Sequence, residues 1–467
     1  MRTDAMNPAT LGNASNRRRA SSARAGDDQC RVACDESKVV IATINRPTGD
    51  TGVHTHTAAL MNGLNSANVP CVVQSPFSRG PWWLPLFAVR RIIGPLNPTW
   101  GTRWYRHWHG AALASNLKRH ICRHGASAVL AQCPVSAAAA IQVRAELGLT
   151  FPILMVCHFN FSEANEYRDK GELRDDASYQ AMLTFESNVL AAVDRVIYVS
   201  EWARHAVEQE RKIKTRGSSV IWNGISPATN DPLPREQLAL NGHVRVSASD
   251  FVESAPRTVF SGTHESVRSA DPTQIARGHP SPNDLVLVSV GSLEPRKNQF
   301  GLIDLFAQIV SHHSNARLLL VGDGADRTRI QRRIAELQLE PKITLLGLRR
   351  DVPALLAASD LYVHYAAMEN CPLALIEAAR ASLPIAAAPG GGAAELLEAL
   401  GGVTLNPADA GASFDALRPL LSDASLRRQF GNASRAAFDR SFTREAMVAA
   451  YIEALGVAPR APGEGRQ

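Results

Sequence analysis

Short apolar runs alternate with stretches of helical spacing, and the alternation occurs twice. The first series opens at SKVVIATI (37–44), a β-branched, apolar run of the kind that forms a parallel strand covered on both faces. A loop, NRPTGDTGVH, and a helical segment, THTAALMNGLNSANVP, follow before CVVQSP resumes as a strand, which makes a βαβ opening. SAVLAQCP (127–134), FPILMVCHF (151–159), DRVIYVS and SVIWNGI (219–225) continue as strands, with AMLTFESNVLAAV and EWARHAVEQE among the helices between them. The second series runs DLVLVSVG, ARLLLVGDG, KITLLG, DLYVHYA and PIAAAPG as strands, with QFGLIDLFAQIVSHH, DRTRIQRRIAELQL, VPALLAAS and PLALIEAARASL as helices.

Two such series predict an α/β protein of two doubly wound, Rossmann-like domains, with ligands beyond the carboxyl ends of the strands and in the cleft where the domains face each other. The expected division is a disordered extension over 1–36, a first domain over 37–225, a linker or inserted loop over 226–282, and a second domain over 283–440. A closing helix at 441–456, packing back on the first domain, and a disordered tail at 457–467 complete it. The 226–282 stretch is rich in Ser, Pro, Asn, Asp, Thr and Gly without sustained periodicity, hence a loop. The first 36 residues are rich in Arg, Ser and Ala and lack the apolar core of a secretory signal.

A length of 467 residues exceeds one ordinary core, and 45% hydrophobic with 20% charged residues is globular composition. The net charge of +6 is a diffuse excess suited to an anionic small molecule or a membrane surface; no stripe with a reading motif points to nucleic acid. Seven scattered cysteines without metal-type spacing read as reduced thiols of a cytoplasmic protein. No apolar run reaches the ~18 residues of a membrane span.

Three clusters carry candidate chemistry. In AAMENCPLALIEAARASLP, Glu369 falls on the loop after a strand and Glu377 within the following helix. The free N–H groups of that helix's first turn, near Leu373 and Ala374, form an anion site, with Pro372 suited to the turn. Two carboxylates flanking a phosphate site fit a ribose and a hexose on either side of a diphosphate. In VSVGSLEPRKNQ, a strand runs into Gly291 and the loop beyond carries Arg296 and Lys297, cations able to neutralise a departing diphosphate. In TGDTGVH, glycines permit close approach of backbone to a phosphate or sugar, although the spacing is not that of a dinucleotide fingerprint.

Taken together these residues resemble the family 4 glycosyltransferases, the retaining group with the GT-B fold, over roughly residues 38–456 apart from the middle segment. TGVH stands at the family's Gly-Gly loop and VCHFN at its strand-end histidine; VDRVIYVSEWAR and VIWNGI match two further steps. VGSLEPRKN matches its phosphate loop, ENCPLALIE its E-x7-E signature, PGGGAAELL its Gly-Gly-x-x-Glu step, and SFTREAMVAAYIEAL its closing helix. The resemblance implies that Glu369 contacts the donor sugar, Glu377 the ribose, Arg296 and Lys297 the diphosphate, and Gly52 and Gly291 close-approach positions around it. It also implies His158 beside the acceptor and the anomeric carbon. The chain departs from the pattern at Ser292, where many members have Arg, at Pro372, at Thr51, and in the length of the 226–282 segment.

The implied reaction is transfer of a sugar from a UDP- or GDP-linked donor with retention of configuration and without a cofactor; no Asp-x-Asp motif occurs, in keeping with a metal-independent site. The stretch RGPWWLPLFAVRRIIGPLNPTWGTRWYRHWHG (79–110) interleaves five tryptophans with arginines. Trp82, Trp83, Arg90 and Arg91 are expected to touch the inner face of the cell membrane, with a lipid-linked or polysaccharide precursor as acceptor. A sugar-nucleotide epimerase of the same architecture, and a donor-binding scaffold without catalysis, are the alternatives.

Overall fold

The computed structural model describes residues 38–46, 52–78, 89, 94, 96–227 and 283–460. The expectations for 1–36, for most of 226–282 and for Trp82, Trp83, Arg90 and Arg91 lie outside these residues.

The chain clusters into two units. The first comprises residues up to Tyr198, Arg204–Val220 and the chain from Tyr451 onward; the second comprises Val199–Ala203 and Ile221–Ala450. In the first series the strands are β1 (Val39–Ala42), β2 (Cys71–Gln74), β3 (Ala128–Ala131), β4 (Ile153–Cys157), β5 (Arg195–Tyr198) and β6 (Ser218–Val220). The helices are α1 (Gly52–Ser66), α2 (Pro98–His124), α3 (Pro134–Leu147), α4 (Glu163–Asp169), α5 (Asp176–Ala192) and α6 (Glu201–His205). In the second series the strands are β7 (Leu285–Val290), β8 (Ala316–Val321), β9 (Ile343–Gly347), β10 (Leu361–His364), β11 (Ile385–Ala387) and β12 (Val403–Thr404). Its helices are α7 (Gln299–His312), α8 (Arg327–Glu336), α9 (Val352–Ala357), α10 (Leu373–Arg380), α11 (Ala393–Ala399), α12 (Ala410–Ser422) and α13 (Ala424–Ser441); α14 (Arg444–Leu455) follows.

Among the described residues each series forms one parallel sheet, in the orders β2-β1-β3-β4-β5-β6 and β12-β11-β10-β7-β8-β9. The continuous apolar runs have the expected cause. Every residue of β1, β3 and β4 is buried, as a central parallel strand covered by helices requires. In β7, Leu285 and Leu287 enter one hydrophobic cluster while Val286 and Val288 enter another, so alternate residues face helices on opposite sides of the sheet. The first cluster gathers α7 and α12 residues such as Phe306 and Leu417; the second gathers α10 and α13 residues such as Ile376 and Phe438.

Several boundaries differ from the sequence reading. The helix after β1 begins at Gly52, inside the stretch taken as loop. Within the tryptophan- and arginine-rich stretch α2 begins at Pro98; Asn97 caps it by accepting from the Trp100 N–H, and proline occupies the first turn. Of SVIWNGI only Ser219 and Val220 lie in a strand, as the end of β6. Residues 457–460, expected to be disordered, are hydrogen-bonded: the Arg460 N–H donates to the Asn68 carbonyl at 2.9 Å. The expectation of reduced cysteines throughout is also corrected, because Cys122 is in a disulfide; Cys71, Cys133, Cys157 and Cys371 are free thiols.

Candidate active site

In the second sheet β7 lies between β10 and β8, and the order of connection reverses at the β7–β10 boundary. Loops leaving two strands at such a switch point diverge and open a crevice for ligands. The two charged motifs of the sequence are those two loops.

The first loop leaves β7 at Gly291, whose N–H donates to the Val321 carbonyl at 2.9 Å. A single 3₁₀ turn, Pro295–Lys297, then carries both cations, and Asn298 ends it in the left-handed region with φ of 51°. The Asn298 side chain caps α7 by accepting from the Gly301 N–H at 3.3 Å. The second loop leaves β10 and carries Glu369. The loops are stitched together: the Ala367 N–H donates to the Arg296 carbonyl at 2.9 Å, and Arg296 Nη1 donates to the Met368 carbonyl at 3.3 Å.

Glu369 is the meeting point. Its Oε1 lies 2.8 Å from Arg296 Nη1 and also contacts Lys297 Nζ, and the residue is only 8% exposed. Burial would raise this carboxyl, but Lys297 and then Arg296 outweigh it and hold it below the usual carboxylate range. The backbone of Glu369 is clamped by a third loop, with its N–H donating to Gly390 O at 3.1 Å and its carbonyl accepting from Ala393 N at 3.2 Å. That clamp explains the glycines of PGGG. A Cβ on Gly390 would collide with the Ala367 carbonyl, and Gly391 has φ of 70°.

α10 starts at Leu373, with Pro372 as the flanking residue rather than inside the first turn. The Leu373 and Ala374 N–H groups head the helix without intrahelical partners, a ready anion site. Glu377 stands about one turn further on, half-buried, its carboxyl raised by burial against the opposing Arg380. Together with Arg296 and Lys297 this places two cations, a helix N-terminus, one loop carboxylate and one helix carboxylate at one switch point.

Some participants were not read from the sequence. Glu294 Oε1 accepts from Ser292 Oγ and pairs with Arg296 Nη2, each at 2.8 Å, so the serine that stands in for a family arginine helps to hold Arg296. His364, at the end of β10, is 2% exposed and lines a small pocket with Gly291, Lys297, Gln299 and Tyr365. Burial chiefly, with Glu369 opposing, lowers its imidazole to about 4, so it is neutral. A histidine within an apolar strand gives no signal of this placement.

In the first unit His158 follows β4, and its Nε2 is 3.0 Å from Gln132 Oε1 just past β3. The His158 ring meets that of His56 edge-on, centroids 4.8 Å apart, and His56 Nε2 is 3.4 Å from the Tyr451 hydroxyl. Burial, then the neighbouring His56, holds the His158 imidazole well below its ordinary value, so it is a neutral hydrogen-bonding group. Gly52 is the exposed first residue of α1. Gln132 sits at a strand end and His56 about one turn into α1, positions where the sequence pattern alone did not separate them from structural polar residues. No group of His, Cys, Asp and Glu able to hold a metal ion occurs among the described residues.

Comparison with known proteins adds the following. Residues 51–229 match the family model described as Glycosyltransferase Family 4, and residues 271–437 match Glycosyl transferases group 1. The chain is 24% identical over 253 residues to the Vi polysaccharide biosynthesis protein VipC/TviE of Salmonella typhi, covering 53% of this chain and 38% of that protein. It is 27% identical over 235 residues to N-acetyl-alpha-D-glucosaminyl L-malate synthase of Bacillus anthracis, covering 46% and 61%. The matches thus span less than two thirds of either relative. The crystal structure of Anabaena HepE in complex with UDP-glucose has a similar fold, with a TM-score of 0.63 at 18% identity over 90% of this chain and 99% of that one.

Proposed function

The chain belongs to the GT-B glycosyltransferases that join a family 4 domain to a group 1 domain, and from that premise we propose that it transfers a sugar from a nucleoside-diphosphate donor to a glycan or lipid-linked acceptor in glycan synthesis, with retention of configuration. One observation carries the reading: Arg296, Lys297 and Glu369 converge where the β7 and β10 loops meet, beside the N-terminus of α10.

Breaking the bond between sugar and diphosphate leaves negative charge on the departing phosphate oxygens. Arg296, Lys297 and the Leu373 and Ala374 N–H groups meet that charge with preorganised positive ends, the kind of interaction that lowers such a barrier most. On this reading the protein's own cations do the work of a metal ion. Glu377 accepts from the ribose hydroxyls and Glu369 from the sugar, which fixes the anomeric carbon relative to its attacker. His158, neutral and tied to Gln132, offers a hydrogen bond at the acceptor side. An epimerase is not favoured, since both matched family models are transferase models.

The test is a transfer assay with UDP-glucose, UDP-N-acetylglucosamine and GDP-mannose against polyprenyl-diphosphate-linked acceptors. Lys297, less exposed than Arg296, carries the larger share: Lys297→Ala should lower kcat by about 10²–10³, the usual effect of losing one charge-stabilising donor. Wild-type turnover that survives this change would remove the diphosphate from the proposed place.

A further inference from the structure

The Glu369 carboxylate assigned above to the donor sugar already pairs, through Oε1, with the two cations assigned to the diphosphate. A diphosphate arriving at those cations competes with Glu369 for them. Resting on the donor-binding reading above, we infer that Glu369 is the counter-ion of Arg296 and Lys297 in the free enzyme, and that it sets the site against bare nucleoside diphosphate and in favour of the sugar-bearing donor.

The argument is one of competing anions. A diphosphate that reaches Arg296 and Lys297 meets a buried carboxylate at the same atoms, and like charges in a half-dry site repel strongly. The carboxylate must therefore leave. Its backbone cannot follow, because hydrogen bonds to Gly390 and from Ala393 pin it on both sides. Only the side chain can turn. Once turned, it has lost two charge-assisted partners and is costly to leave unpaired. Sugar hydroxyls replace those partners when the donor carries its sugar. Bare nucleoside diphosphate brings none, so Glu369 competes to return and expels the spent nucleotide.

Glu294 supplies an internal control. It pairs with Arg296 at the same 2.8 Å, but it is held by Ser292 and has no proposed role toward the sugar. Removing its charge should favour UDP and UDP-sugar alike.

The experiment is calorimetric titration of the full-length protein, wild type, Glu369→Gln and Glu294→Gln, with UDP, GDP, UDP-glucose, UDP-N-acetylglucosamine and GDP-mannose. Glu369→Gln should bind the bare diphosphate about tenfold tighter or more, the scale on which close charge pairs act, and should lose the wild-type preference for the sugar nucleotide. Glu294→Gln should keep that preference. Equal or weaker binding of UDP and GDP by Glu369→Gln, with wild type binding normally, overturns the inference and leaves the donor reading standing. No binding of any of these nucleotides by wild type overturns the donor reading and the inference with it. Should Glu369→Gln fail to fold, a structure of wild type with UDP decides. A Glu369 carboxylate turned away from both cations supports the inference, and one still paired refutes it.

Discussion

At the scale of single residues, the chain buries carboxyl groups in two ways. Glu369 lies among cations that favour its ionised form. Glu186 in the first unit is fully buried; its Oε1 accepts from the Ala164 N–H at 2.7 Å and its Oε2 lies 3.3 Å from Arg211 Nη2. Burial, then the nearby Glu163 carboxylate, nonetheless raises its carboxyl from 4.5 to about 7. The folded protein therefore holds a proton there that the unfolded chain has released. The stabilisation is complete below pH 4.5 and is lost as pH rises through 7, over a span worth ~3 kcal/mol at most. Melting temperature should fall between pH 5 and 8 in wild type, and Glu186→Gln should flatten that fall; an unchanged slope in the variant would show that another group titrates. Arg296, Lys297, Glu369 and Glu377 were legible in the sequence because motif spacing marks strand ends and helix starts. Glu294, His364 and Gln132 were not, because nothing local tells a polar residue beside a ligand site from one beside solvent.

At the scale of elements, the alternation of short apolar runs with helical spacing placed most strands and helices, because a strand buried on both faces cannot hide its composition. α2 escaped because its tryptophans, arginines and histidines give no narrow apolar stripe, although Asn97 and Pro98 signal its start. The NGI step acquires its reason only from packing. Ile225 donates to the Phe442 carbonyl at 3.1 Å, Arg444 donates back to the Ile225 carbonyl at 2.8 Å, and a Cβ on Gly224 would collide with the Thr443 carbonyl. Gly224→Ala should loosen the start of α14 and destabilise the protein by about 1–3 kcal/mol, as overpacking does. A urea midpoint unmoved by the change would mean that Thr443 yields without cost.

At the scale of the molecule, no helix among the described residues is long and apolar enough to cross a membrane. Trp100, Trp104 and Trp108 follow one another along α2, with successive centroids 5.0 and 5.5 Å apart; Trp100 is 41% exposed and Leu96 83%. With Arg103 and His107 exposed beside them, these rings suit an anionic headgroup layer. In liposome flotation the full-length protein should rise with anionic vesicles, and the Trp100, Trp104 and Trp108 to Ser variant should stay behind; equal, negligible recovery of the two ends the membrane reading, and equal, high recovery takes these three rings out of it.

The sequence by itself determined two parallel α/β units, the identity of the charged loop residues and the family they signal, because strand burial and helix starts are written in local composition. Only the tertiary structure decided that the β7 and β10 loops meet, since strand order is set by crossovers between segments far apart in the chain. Only there does one carboxylate oxygen contact two cations about seventy residues away, a contact that no local pattern encodes.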